Sequence, residues 1–205
     1  MDAVTSTSTK PQGGTRRPRV DRRQAIIAAA IELAGEKPFD EVNASDIARR
    51  AGVSHGLLFY YFTDKWAVTA EALSQLLEEL REFQAPHLGE ASVAEQLTGF
   101  TRRHIQFLQD RQTSYLALVR GGALARPEVR PLIDQARQEG TAVVAAILGL
   151  PERLSPMDDL ALSGWVALLD VCTERVLTSP DLDADVVADW LVDRLLDSLG
   201  RRVED

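Results

Sequence analysis

A chain of 205 residues with 45% hydrophobic and 26% charged side chains has the make-up of a soluble globular protein able to bury a sizeable core. Its single cysteine, Cys172, excludes an internal disulfide and a multi-cysteine zinc site and suits a reducing cytoplasm; the lack of any run of about 18 apolar residues excludes a helical membrane span. The net charge of −8 is spread unevenly, with a surplus of +3 over residues 10–66 and −10 over residues 67–205, so a mildly basic head on an acidic body can still meet phosphate at one end.

Residues 1–15 lack the apolar centre of a secretory signal, and their Thr, Ser, Gly and Pro content reads as a disordered arm. Beyond them nearly every segment has helical period and none alternates long enough for a strand, which predicts an all-α fold of about nine helices. The first helix spans about Arg19 to Glu36, with Ile26, Ile27, Ala30, Ile31 and Ala34 as one apolar stripe. A short helix follows over about Ser45 to Ala51, with Asn43 as N-cap and Asp46 where a capping-box partner belongs. Gly52 breaks it, and Ser54 caps a third short helix. A long fourth helix runs from about Asp64 to Phe83. Five more are expected at about 92–110, 112–123, 127–148, 156–178 and 183–200; Pro131 implies an irregular first turn in the third of these.

The informative stretch is Asn43 to Lys65, NASDIARRAGVSHGLLFYYFTDK. Two short helices joined by a Gly-Val turn cross steeply, with Ile47, Ala48 and Ala51 facing inward, Val53 plugging the turn, and Leu58 and Phe62 anchoring the second helix. Ser54, His55, Gly56, Leu57 and Tyr61 then remain outside, and a Leu and a Tyr grouped on a surface mark a contact. The DNA major groove accepts one helix whose N-terminal residues reach base edges. Gly56 permits close backbone approach, Leu57 can pack on a thymine methyl, and His55 can bond a base edge or phosphate. Asn43 and Ser45 stand at one helix start and Lys65 at another, where N–H groups offer phosphate seats. The basic cluster Arg16, Arg17, Arg19, Arg22 and Arg23 is either a solvated tail or an arm reaching the adjacent minor groove.

This run resembles the DNA-binding segment of the tetracycline-repressor-like (TetR) family. Ile47-Ala48, Ala51-Gly52-Val53-Ser54, Gly56, Leu58, Tyr60, Tyr61-Phe62 and Lys65 stand at matching spacing. Two positions depart from the pattern. Val42-Asn43 replaces a hydroxyl pair, and Phe59 replaces a Tyr whose hydroxyl is often aimed at phosphate, a role Tyr60 or Tyr61 can take. The resemblance implies a head at 16–65 with a three-helix, helix-turn-helix DNA-binding fold, and a larger helical bundle at 66–205 that binds a small-molecule effector and dimerises. It implies a cytoplasmic repressor whose partners are double-stranded operator DNA and a second copy of itself, with no cofactor and no metal.

The body's own residues say less. On helix 92–110 the apolar face reads Val93, Leu97, Phe100, His104, Phe107, so His104 points inward, either bonded to a backbone carbonyl or carboxylate or touching a ligand, with Phe100 and Phe107 as candidate ligand contacts beside it. Tyr115, Trp165, Asp170 and Cys172 can line the same space or belong to core or interface. Helix 156–178 is apolar nearly all round, which means burial on more than one face, with Leu169 assigned to the dimer contact. On helix 183–200, Val187, Trp190, Leu191 and Leu195 form a stripe that packs within the subunit or in a four-helix dimer interface, and the need for two heads on a palindrome favours the dimer. Asp185, Asp189, Asp193 and Asp197 form another row, which faces water or a basic partner. An enzyme is disfavoured: the three histidines are scattered, there is no His-Glu-x-x-His spacing or phosphate-cradling loop, and Cys172 sits in an apolar helix. The other rival is a helical dimeric interaction module without DNA binding or without ligand response.

Overall fold

The computed structural model describes residues 19–85, 89–119 and 125–200. Among these the chain forms nine α-helices and one 3-10 turn: α1 (Arg19–Glu36), the turn at Phe39–Glu41, α2 (Ala44–Arg50), α3 (His55–Tyr61), α4 (Lys65–Phe83), α5 (Val93–Asp110), α6 (Gln112–Val119), α7 (Arg130–Ile147), α8 (Pro156–Thr178) and α9 (Ala184–Ser198). The expected arm at 1–15, Arg16 and Arg17, and the stretch 120–124 lie outside the described residues.

Local chemistry sets the helix starts. Asn43 accepts from the Asp46 N–H at 2.9 Å while the Asp46 carboxylate turns back to the Asn43 N–H, the reciprocal pair expected for α2. Ser54 caps α3, Asp64 caps α4, Ser92 and Glu95 form a second box on α5, and Ser155 and Asp183 cap α8 and α9. Each such cap is worth about 1 kcal/mol. The turn between α2 and α3 needs Gly52, whose φ of 66° is costly for any side chain. α7 becomes regular at Arg130, with Pro131 in the first turn, where a missing N–H costs no helical hydrogen bond.

Two apolar cores result. The first gathers Ile26, Ile27, Ala30 and Leu33 of α1, Ile47 and Ala48 of α2, Leu58 of α3 with Phe62 just after it, and Val68, Ala72, Leu73, Leu76 and Leu80 of α4. It also takes in Phe107, Leu108, Leu118 and Val129, so the N-terminal helices are fused to the body rather than tethered to it. The second holds Leu97, Phe100 and Ile105 of α5 with apolar residues of α7, α8 and α9, among them Trp165, Leu191 and Leu195. No described helix is long and apolar enough to cross a membrane.

Candidate nucleic-acid interface and effector cavity

α3 lies on the outside. Ser54, His55, Gly56, Phe59 and Tyr60 are exposed, Leu57 is half-buried, and a Cβ built at Gly56 would meet nothing within 4 Å. Beneath, Leu58 is fully buried and Phe62 nearly so, pinning the helix to α1 and α4. The Ser54 hydroxyl accepts from the Leu57 N–H at 3.2 Å, which leaves its own O–H to donate outward. His55 meets Phe59 edge to face at 4.7 Å, a contact that orients the imidazole along the exposed side. α3 carries no acidic residue, and the nearby acids are engaged: Asp46 pairs with Lys37 and Arg49, and Asp64 accepts from the N–H groups of Trp66 and Ala67. Asn43 and Ser45 are exposed at the start of α2.

Three expectations for this face need correction. Tyr61 is half-buried against the first core, with its ring edge-on to Tyr60, so Tyr60 is the outward tyrosine. The helix starts are only partly open as phosphate seats, because the Asn43 side chain takes the Asp46 N–H and the Asp64 side chain those of Trp66 and Ala67. Lys65 points inward. Its ammonium donates to the carbonyls of Phe39 (2.8 Å), Asp40 (3.0 Å) and Val42 (2.7 Å) and lies over the rings of Phe39 and Trp66. Burial holds its pKa below the ordinary lysine value. The reason is the 3-10 turn, whose carbonyls converge on one point and need a cation more than any phosphate contact does. Lys65→Met should therefore destabilise the protein by about 2–3 kcal/mol, a fall of roughly 4–12 °C in Tm. The salt dependence of DNA affinity should keep its slope, since no phosphate contact is lost. A thermal melt and a salt titration check the two halves. Arg23 is likewise committed, paired with Glu71 and set over the Phe62 ring, while Arg17 and the side chain of Arg19 lie outside the description.

The body contains a cavity of about 270 Å³ between α4, α5, α6, α7 and α8. Leu73, Leu76, Leu77 and Leu80 form one wall and Phe100, Ile133, Ala136, Val166 and Leu169 much of the rest. The polar end gathers Gln84, His104, Tyr115, Arg137, Asp170 and Glu174. His104 is 7% exposed; its Nδ1 lies 3.2 Å from the Gln84 amide nitrogen, and its Nε2 makes no hydrogen bond. Asp170 accepts from Arg137 Nε at 2.8 Å and stands 3.8 Å from His104 Nε2. Burial pushes the His104 pKa down, with Asp170 pulling weakly the other way, and pushes the Tyr115 phenol up.

A histidine depressed below its ordinary value of 6.5 stays neutral in the fold while the unfolded chain takes up a proton. Its contribution is thus complete above pH 6.5 and shrinks as pH falls through that value toward the folded pKa. Stability should decline as pH drops below about 6.5, before carboxylates titrate, and the decline should be shallower in His104→Leu. Melts at half-unit pH steps measure it.

Phe100, His104 and Tyr115 thus line the cavity, but three other residues read as ligand contacts do not. Phe107 is in the first core against Phe83 and under the Arg111 guanidinium. Trp165 is in the second core, where its indole N–H donates to the Leu191 carbonyl at 2.7 Å. Cys172 packs beside that core, with its thiol pKa raised by burial. The cavity residues missed include Gln84, Arg137, Glu174 and the leucines of α4. A leucine row in an amphipathic helix carries no mark telling core from cavity wall.

The stripe assigned to a dimer contact is also mostly internal. Leu191 and Leu195 are fully buried, Leu169 lines the cavity, and Val187 packs on the second core. Trp190 alone of that set stands out, 46% exposed. The aspartate row faces outward, with Asp185 and Asp189 both bridged by Arg102 of α5.

Known proteins match this arrangement in both halves. Residues 26–72 match the model of bacterial regulatory proteins of the tetR family, and residues 93–197 match the tetracyclin repressor-like C-terminal domain. The HTH-type transcriptional regulator BetI of Agrobacterium fabrum is 32% identical over 157 residues, covering 73% of each chain. The HTH-type transcriptional regulator EthR of Mycobacterium tuberculosis is 27% identical over 85% of this chain and 83% of its own. A crystal structure of a tetR-family transcriptional regulator from Streptomyces coelicolor superposes with a TM-score of 0.75 at 23% identity, over 89% of this chain and 82% of that one, a likeness of fold. The exposed α3, the capped helix pair before it and these matches agree: the chain belongs to the TetR family and is a DNA-binding transcriptional regulator.

Proposed function

We propose that the protein is a repressor that grips a palindromic operator as a homodimer and lets go when a small molecule fills the cavity between α4 and α8. Residues 16–65 form the reading head and 66–205 the ligand-binding and dimerising body. The observation that carries this reading is the open surface of α3 at Gly56, held outward by the buried Leu58 and Phe62. Ser54, His55, Gly56 and Leu57 enter the major groove, with Phe59, Tyr60 and the edge of Tyr61 against its wall. Asn43 and Ser45 donate to phosphate, and Arg17 and Arg19, at the N-terminal end of the head, reach the backbone or minor groove.

The dimer supplies the second head. Outward on α8 lie Met157, Leu160, Gly164 and Val171, and outward on α9 lie Val186 and Trp190. Such a spread of large apolar side chains on neighbouring helices suits an isologous contact. Signalling runs through α4, whose Leu73, Leu76 and Leu80 belong at once to the head's core and to the cavity wall. A molecule that needs more room displaces α4, and the two heads cease to match major grooves about 34 Å apart. It must bind the released conformation more tightly than the DNA-bound one, since equal affinity shifts nothing.

Selection of bound duplex from a random pool tests the reading. The expected product is a symmetric site whose log affinity falls linearly with log salt. A flat salt response with no enriched sequence would refute it.

A further inference from the structure

We propose that the cavity takes a neutral, elongated, apolar molecule whose oxygen acceptor, a ketone, ester or amide carbonyl, rests on His104 Nε2–H. This rests on the reading of the cavity as the effector site. The Gln84 amide N–H, 3.2 Å from His104 Nδ1, donates to it, which places the ring hydrogen on Nε2. That hydrogen lies on a buried atom with no partner among the described residues, since Asp170 Oδ1 at 3.8 Å is beyond hydrogen-bond reach. Leaving a buried donor unmet is costly, and a ligand oxygen placed there recovers that cost. The Tyr115 hydroxyl also lines the cavity, has no hydrogen-bond partner among the described residues, and stays protonated, so it offers a second neutral donor.

Charge decides between acceptor classes. Arg137 is already paired with Asp170, and Glu174 adds a second carboxylate to the wall. A ligand carboxylate would bring a third negative charge with no unengaged cation among the described lining residues to meet it. An ammonium could meet Glu174, but at the His104 end it would compete with Arg137 for Asp170 and would leave His104 Nε2–H facing another donor. A neutral carbonyl avoids both costs.

Shape sets the length. A second cavity of about 270 Å³ adjoins the first between α4, α5 and α7, and the two share Leu77, Leu80, Gln84, Phe100, Ala136 and Gly140. At about 30 Å³ for a water-sized group, each holds roughly nine non-hydrogen atoms, so a chain of ten or more fits with its tail between α4 and α7.

The test is calorimetric titration of the full chain with 2-undecanone, decanoate, decylammonium and undecane, each below its aggregation limit. The ketone should bind at least tenfold more tightly than the other three. His104→Leu should erase its advantage over undecane, and His104→Gln, which restores a donor, should recover part of it. Equal or tighter binding of decanoate, decylammonium or undecane would overturn the neutral-acceptor class and leave the cavity standing as a ligand site. A ketone preference that survives in His104→Leu would overturn the role of His104. If none of the four bound, the effector reading would fall, and this inference with it.

Discussion

Gly56→Glu is expected to abolish operator binding while the head stays folded. Gly56 is the second residue of α3 and exposed, and an added Cβ meets nothing within 4 Å, so the new side chain projects into solvent without disturbing the core. Near a helix N-terminus a carboxylate is favoured by the backbone dipoles, and removing a helical glycine gains up to about 1 kcal/mol. The thermal melt should therefore hold or rise slightly. On the DNA the same carboxylate occupies the point of closest approach, where it clashes with base edges and lies among phosphates. An uncompensated charge buried in an interface costs about 2–5 kcal/mol, so affinity should fall by roughly 30-fold or more. Gly56→Ala, which adds bulk without charge, should fall between this variant and wild type. Wild-type affinity in Gly56→Glu, measured on the selected site, would show that α3 does not enter the groove.

The DNA-binding end was more legible in the sequence than the body, for a physical reason. Caps and turns are decided by one or two residues against their own backbone: Asn43 with Asp46, Ser54 before α3 and Gly52 at positive φ need no distant partner. Burial of Leu58 and Phe62 followed from helical spacing alone. Lys65 was misread because its partners, the carbonyls of Phe39, Asp40 and Val42, lie more than twenty residues away and belong to backbone that a side-chain pattern does not describe. In the body, Leu191, Leu195 and Trp190 lie close together on one helix, yet two are buried at home and one is exposed. Apolar character records that a side chain leaves water, and it does not record whether its own subunit or another one covers it. The cavity was invisible for the same reason, since Leu76 beside a void and Leu97 in solid core present the same signal. His104 was the exception. A titratable group on an apolar face has to be accounted for, and it led to the polar end of the cavity.

The second large effect concerns assembly. Leu160→Glu combined with Trp190→Glu should convert the proposed dimer to a monomer. Leu160 is 62% exposed on α8 and Trp190 46% exposed on α9, and neither belongs to either core, so two carboxylates there leave the isolated subunit intact. Met157 at 71% exposure and Val186 at 66% extend the same apolar surface. In a two-fold contact every substitution acts twice, and a buried tryptophan at an interface centre typically costs about 2–4 kcal/mol when lost. Four new negative charges on facing helices add repulsion to a body that already carries excess acid. Sedimentation at about 10 µM should show one subunit with unchanged helical signal, and operator affinity should drop by about 100-fold or more because each half-site then holds its head alone. Leu191→Ala supplies the contrast. It removes a fully buried side chain from the second core, so it should lower stability by about 2–5 kcal/mol yet leave the folded protein dimeric. If the double variant stayed dimeric with full operator affinity, the outward faces of α8 and α9 would not be the contact, and their exposed leucine and tryptophan would require a different partner.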